Sequence, residues 1–147
     1  MKQLLTGIGI YILSLCAVSA HAEIVWFDGS HPVSYQVEGK AAPVVGIALD
    51  MFAGDMQMVT GRRALASKNG TIRIVELDKA SAATIKKLRT MGVPVDSLLQ
   101  AMDAFFVAPL QGKVFVVGNN GRGCAYGLLE LSRLAGVSPW VWWGDVV

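Results

Sequence analysis

The residues best placed to do chemistry lie late in the chain. Gly118-Asn119-Asn120-Gly121-Arg122-Gly123-Cys124-Ala125-Tyr126-Gly127 follows an apolar run and opens a helix-forming one. In that context, helix N–H groups and a compact glycine turn can cradle a phosphate. The spacing argues for something plainer. Gly121, Gly123 and Gly127 do not make G-x-G-x-x-G, no second βαβ half follows, and no acid lies about 20 residues on to take a ribose. The segment therefore reads as a tight strand-to-helix turn, with Gly127 allowing close helix packing. Cys124, beside Ala125 in that helix, reads as a small buried hydrophobe rather than a nucleophile. The only histidine beyond the first 22 residues is His31, and nothing places it near Cys124. One Cys and one His without clustered spacing make no zinc site, and no cofactor is implied.

A second unusual feature is Ser138 to Val147, which holds Trp140, Trp142 and Trp143 of the chain's 4 tryptophans. Such an apolar cluster needs a cover. The domain's own core, a sugar stacked on the rings and a neighbouring domain are the candidates. The end of the sequence at Val147, directly after the aromatic run, favours the neighbouring domain.

Periodicity supplies the elements that must hold these groups. Val33, Tyr35 and Val37 alternate with Ser34 and Gln36, predicting a strand. From Val45 to Thr60 the stripe Ala48, Phe52, Met56, Val59 predicts a helix, with Asp50, Asp55 and Gln57 mostly off it and Gly61 as its stop. Thr71 to Leu77 sets Ile72, Ile74 and Glu76 against Arg73, Val75 and Leu77, a second strand, after which Asp78 can cap a helix. That helix, Lys79 to Met91, turns Ile85, Leu88 and Met91 inward and Lys86, Lys87 and Arg89 to solvent. Asp96 to Met102 stays unassigned. Ala104 to Ala108 and Lys113 to Gly118 flank Pro109-Leu110-Gln111-Gly112 as a hairpin, and Arg122 to Ala135 closes as a helix facing Ala125, Leu128, Leu129 and Ser132 inward. The order implies an α+β fold, a two-layer α/β sandwich in which a mixed sheet carries helices mainly on one face.

The start of the chain has a different fate. Lys2, an apolar stretch from Leu4 to Ala20 and the small-x-small ending Ala20-His21-Ala22 read as a secretory signal peptide cleaved after Ala22. Gly7, Gly9 and Ser14 interrupt the stretch, and a lipid anchor on Cys16 is disfavoured by Leu15 before it. The expectation is a periplasmic or secreted domain, residues 23–147, with no membrane attachment after cleavage and no disulfide, since Cys124 stands alone. With 13 Lys+Arg against 11 Asp+Glu and a formal charge of +2, no basic footprint calls for nucleic acid. A chain of 147 residues is also too short for a (β/α)₈ barrel, which needs roughly 250.

The stretch from Val116 to Val146 resembles the end of the amino-terminal domain of glycoside hydrolase family 115, the xylan α-1,2-glucuronidases. The matching positions are Arg122-Gly123, Tyr126-Gly127, Leu131-Ser132, Gly136-Val137-Ser138-Pro139-Trp140, Trp142-Trp143 and Asp145-Val146, and more loosely Val59-Thr60-Gly61-Arg62. Departures fall at Asn119-Asn120-Gly121, where the family pattern carries Ser-Asp-(Lys/Arg), and at Cys124, Val141 and Gly144. The resemblance implies an accessory-domain fold like that before the barrels of α-glucuronidases and β-hexosaminidases, a catalytic barrel as partner, and glucuronoxylan as substrate class. It places the family's catalytic acid in that barrel, not here. Consistently, Asp50, Asp55, Glu76, Asp78, Asp96, Asp103, Glu130 and Asp145 show no sign of the carboxyl pair, about 5–10 Å apart, that glycoside hydrolysis usually needs. No catalytic residue is assigned. The candidate substrate-binding or interdomain residues are Asn119, Asn120, Arg122, Trp140, Trp142, Trp143 and Asp145. The leading reading is a noncatalytic domain, a truncated form of a secreted glucuronidase, hinged to its barrel by Trp140–Trp143. The alternative is a self-standing periplasmic carbohydrate-binding module in which Trp142 and Trp143 stack on sugar faces and Arg122 pairs with a uronate.

Overall fold

The structure, a computed structural model, describes residues 24–138. The leader predicted for residues 1–22 and the candidates Trp140, Trp142, Trp143 and Asp145 lie outside them. The elements run β1 (Ser34–Glu38), α1 (Pro43–Thr60), β2 (Leu65–Ala66), β3 (Ile72–Glu76), a 3₁₀ turn (Leu77–Lys79), α2 (Ala82–Thr90), α3 (Val95–Gln100), β4 (Phe105–Leu110), β5 (Lys113–Gly118) and α4 (Gly121–Leu134). They form one five-stranded sheet ordered β2-β1-β3-β5-β4. Its first four strands are parallel, and β4 runs antiparallel to β5 at the edge.

Side chains alternate across this sheet and so make two cores. Ile72, Ile74, Val114 and Val116 point to the face covered by the two long helices, where Val45, Ala48, Phe52 and Met56 of α1 meet Leu128 and Leu131 of α4. Val75, Phe115 and Val117 point the other way, into a smaller core closed by Leu88 of α2 with Val95 and Leu98 of α3. The mixed sheet with helix concentrated on one face is the predicted fold. Its second face is also covered, by the two short helices, one of which is the unassigned 96–102 piece.

Several local readings shift. Ser81, not Asp78, caps α2, its hydroxyl accepting from the Thr84 N–H at 3.1 Å. The hairpin turn shrinks to Gln111-Gly112, both at positive φ (48° and 74°), as a two-residue turn demands. Pro109 stays in β4, tolerated because that strand is an edge. In α4 the buried stripe is Cys124, Ala125, Leu128, Leu131 and Ser132, while Leu129 faces out.

The largest departure is Asp55. Predicted off the core stripe, it is 1% exposed, and neither carboxylate oxygen has a hydrogen-bond partner. An unsatisfied buried acceptor costs about 1–3 kcal/mol. Asp55→Ala is therefore expected to stabilise the domain by about that amount, helped by alanine's helix propensity, in urea denaturation. Equal or lower stability of the variant would refute the account.

Candidate functional site

The sequence candidates inside the described residues gather where β3 and β5 end and α4 begins. Gly118 ends β5 against the first turn of α4, so closely that a Cβ there would lie 2.2 Å from the Cys124 nitrogen. Asn120 is the α4 N-cap. Its Oδ1 accepts from the Gly123 N–H at 2.9 Å, and its Nδ2 donates to Asp103 Oδ1 at 2.8 Å. Arg122 grips the same carboxylate from the other side, with Nε 3.1 Å from Oδ1 and Nη2 2.9 Å from Oδ2. Asn119 closes the loop, its Nδ2 donating to the Ala101 carbonyl at 2.6 Å and its backbone N–H to that of Ala104 at 3.0 Å.

Asp103, held at φ 50° just before β4, is thus the hub joining the α3–β4 loop to the α4 N-terminus. Aspartate tolerates this left-handed conformation better than most residues. The sequence reading counted Asp103 among acids without a paired role. Its partners lie 17 and 19 residues away, across a hairpin, a separation that local patterns do not register. Asn120→Ala removes both the cap and one strut of this hub, and is expected to cost about 1–2 kcal/mol. Arg122→Ala, losing a pair whose arginine is mostly exposed, should cost well under about 1 kcal/mol. Chemical denaturation of both variants checks the order.

The glycines of this loop are packed, not poised around an anion. Gly121 faces Ala42 Cβ and Val44 Cγ1, and Gly123 faces the Ala104 carbonyl. Gly127 faces Val116 Cγ1, as a close-packing role requires. Cys124 is fully buried, its thiol 3.4 Å from the Val75 carbonyl, and burial pushes that thiol up to about 12. It has no thiolate to offer as a nucleophile.

Directly beside Gly118 in the sheet, Glu76 ends β3. It is 2% exposed, yet its Oε2 accepts from the Ala42 N–H at 2.6 Å and its Oε1 pairs with the Lys79 ammonium. Burial alone would raise this carboxyl. The Lys79 ion pair, the Ala42 N–H and an Asp78 hydrogen bond outweigh it and hold Glu76 below the usual glutamate range. Burial and the neighbouring Glu76 charge push Asp78 upward. Glu76 therefore clamps the start of α1 to the end of the central strand. The sequence carried the signal, since alternation put an acid in line with Ile72 and Ile74, two core positions. Among the described residues no group of three or more His, Cys, Asp or Glu could hold a metal ion.

The arrangement is thus a scaffold in which Asn120, Arg122 and Asp103 fix one helix N-terminus and Glu76 the other. No family model matches the sequence, and no curated protein matches it. A solved structure does. It is that of a family GH115 4-O-methyl-α-glucuronidase with specificity for decorated arabinogalactans, similar at a TM-score of 0.65 and 37% identity over 79% of this chain.

This chain is a domain related to glycoside hydrolase family 115. The GH115-related domain spans 15% of the length of that enzyme. In the Gly118–Gly123 loop Asn120 serves as the helix cap, and the carboxylate that holds it comes from Asp103. Asn119, Asn120 and Arg122 come together, as the sequence reading grouped them, and their polar atoms are directed largely to Asp103, Gly123, Ala101 and Ala104.

Proposed function

We propose that this domain is the noncatalytic amino-terminal domain of a secreted α-glucuronidase, cleaved after Ala22, that packs against a catalytic barrel through its Trp140–Trp143 segment. The observation that carries the reading is the 37% identity to a segment making up 15% of a GH115 glucuronidase. The substrate class of the whole enzyme is a plant polysaccharide bearing glucuronic or 4-O-methylglucuronic acid, either glucuronoxylan or a decorated arabinogalactan.

The test is to incubate the purified chain with both polysaccharides and assay released uronic acid. No release is expected from either, and release from one would overturn the noncatalytic reading. Titrating the same chain with aldobiouronic acid while following tryptophan fluorescence addresses the carbohydrate-binding alternative. That alternative requires Arg122 to leave Asp103 for a uronate, so a saturable response abolished by Arg122→Ala would favour it. A flat titration leaves the scaffold role.

A further inference from the structure

The sheet ends differently on its two sides. Beyond β1 it closes with β2, an edge of 2 residues, and so short an edge offers little to another chain. Beyond β5 it ends with β4, 6 residues that read Phe-Phe-Val-Ala-Pro-Leu without a charge. The ladder itself shows which backbone groups of β4 are open. The Asn119 N–H donates to the Ala104 carbonyl at 3.0 Å, and at the other end Leu110 faces Lys113 across the two-residue turn, the position where paired strands exchange bonds. Such pairs alternate along an antiparallel ladder. Ala104, Phe106, Ala108 and Leu110 therefore turn their backbone groups to β5, and Phe105, Val107 and Pro109 turn theirs outward. Pro109 has no N–H to offer. The open window is thus Phe105 to Val107, with the N–H and carbonyl of both residues, and among the described residues no hydrogen bond reaches these groups.

Apolar surface continues from this window onto α4. A Cβ at Gly127 would lie 3.5 Å from both Phe105 Cδ2 and Val107 Cγ2, and one at Gly123 would meet the Ala104 carbonyl, so this flank of α4 runs along β4. Steps of three and four residues carry the same flank to Tyr126, Glu130 and Leu134. Phe105, Tyr126 and Leu134 are 39%, 46% and 58% exposed. The charge among them, Glu130, is taken up by Arg133 of its own helix at 2.6 and 2.7 Å.

We propose that β4 pairs antiparallel with β4 of a second copy, about a two-fold axis at Phe106, joining the two sheets into one. The pattern of open groups selects this occupant. With the axis at Phe106, Phe105 faces Val107 of the second copy and Val107 faces its Phe105, two pairs that each exchange both bonds and so use every open N–H and carbonyl. An axis at Phe105 would set Val107 against Asp103, whose φ of 50° takes it off the strand. An axis at Val107 would set Phe105 against Pro109, which cannot return a bond. The side chains agree with the first arrangement, because it places an aromatic against a β-branched residue twice on the α4 face and Phe106 against its own copy on the other. A stable dimer buries about 1,200–2,000 Å², more than a three-residue window supplies. The same axis sets the two α4 helices side by side on one face of the joined sheet, where the flanks bearing Tyr126 and Leu134 supply the remainder. No residue beyond Leu134 takes part, so the pairing leaves Trp140–Trp143 to the barrel and stands apart from the glucuronidase reading.

Sedimentation and amide exchange of the full chain test this together. Apparent mass is expected to rise twofold between about 1 μM and about 1 mM chain. Over that range the Phe105 and Val107 amides, which face solvent in a single copy, should slow by about tenfold or more, while the Phe106 amide, bonded to β5 throughout, stays constant. Phe105→Lys, its fold checked by circular dichroism, should remain monomeric throughout, and so should Leu134→Lys, whose exposed site tolerates the change. A parent chain still monomeric at about 1 mM would overturn the proposal. So would a dimer whose Phe105 and Val107 amides exchange freely or which persists in the folded variants, either of which puts the contact elsewhere. Slow Phe105 and Val107 amides in a monomer would overturn it as well, since the chain would then cover its own edge.

Discussion

Gly123→Ala is expected to cost more than about 3 kcal/mol and to leave little folded domain at ambient temperature, because overpacking against backbone cannot be relieved by a rotamer change. The added methyl would sit 2.2 Å from the Ala104 carbonyl oxygen and 2.9 Å from Asn119 Oδ1. Moving Ala104 away would break its bond to the Asn119 N–H, and moving α4 would pull Asn120 off its cap and Arg122 off Asp103. The steric clash and the polar hub therefore fail together. Gly46→Ala in α1 is the control, since nothing lies within 4 Å of its added Cβ. That change should be neutral or stabilising by about 0.5–1 kcal/mol. Urea denaturation of both variants decides, and a Gly123→Ala midpoint within experimental error of the parent would remove the close-packing account of this loop.

The contrast between these two glycines shows what a sequence can and cannot carry. Both sit in helices, and nothing adjacent to either distinguishes them. The difference is the α3–β4 loop pressed on one and open solvent on the other. Elements with strong periods were legible for the same reason in reverse: Val33-Tyr35-Val37 and Phe52-Met56 repeat within one element, and local spacing records them. The tilt of a stripe is not local. Leu129 and Leu131 of α4 are equally apolar, and only the positions of β5 and α1 choose Leu131 for the core. β2 escaped because two exposed residues, Leu65 and Ala66, carry no alternation, their pairing being dictated by Ser34 and Tyr35. Asp55 escaped because a carboxylate on an amphipathic helix is ordinarily solvated, whereas tertiary packing buries this one to 1% exposure. At the candidate site, the grouping of Asn119, Asn120 and Arg122 was readable from contiguity, whereas their common partner Asp103 was not.

Glu76 gives the second large effect, and its sign in pH can be worked out. Glu76→Ala removes the acceptor of the part-buried Ala42 N–H and the nearer counter-charge of Lys79 together, leaving Lys79 only Asp78, 3.9 Å away, at the junction of β3 and α1. Losing the acceptor of the part-buried Ala42 N–H costs about 1–3 kcal/mol, while the partly exposed Lys79 makes the ion pair itself a small part of the effect. Glu76→Gln keeps the shape and should cost less, which makes it the better probe of charge. The folded carboxyl titrates below its ordinary 4.5, so the unfolded chain takes up this proton first as pH drops. The charge of Glu76 thus contributes its full stabilisation above pH 4.5, and that contribution is lost as pH falls through the lower folded value. Asp78, displaced upward, acts in the opposite sense. Its proton binds the folded state more readily, so its term favours folding more as pH falls toward the acid range. The difference between parent and Glu76→Gln carries the Glu76 term together with the part of Asp78's upward shift that Glu76 causes, and the two stability curves should stand apart at neutral pH and converge as pH falls below 4.5 through the folded Glu76 value. Curves that stay parallel down to the acid limit would mean that Glu76 holds α1 as a neutral acid. The Lys79 pair would then contribute nothing to the clamp.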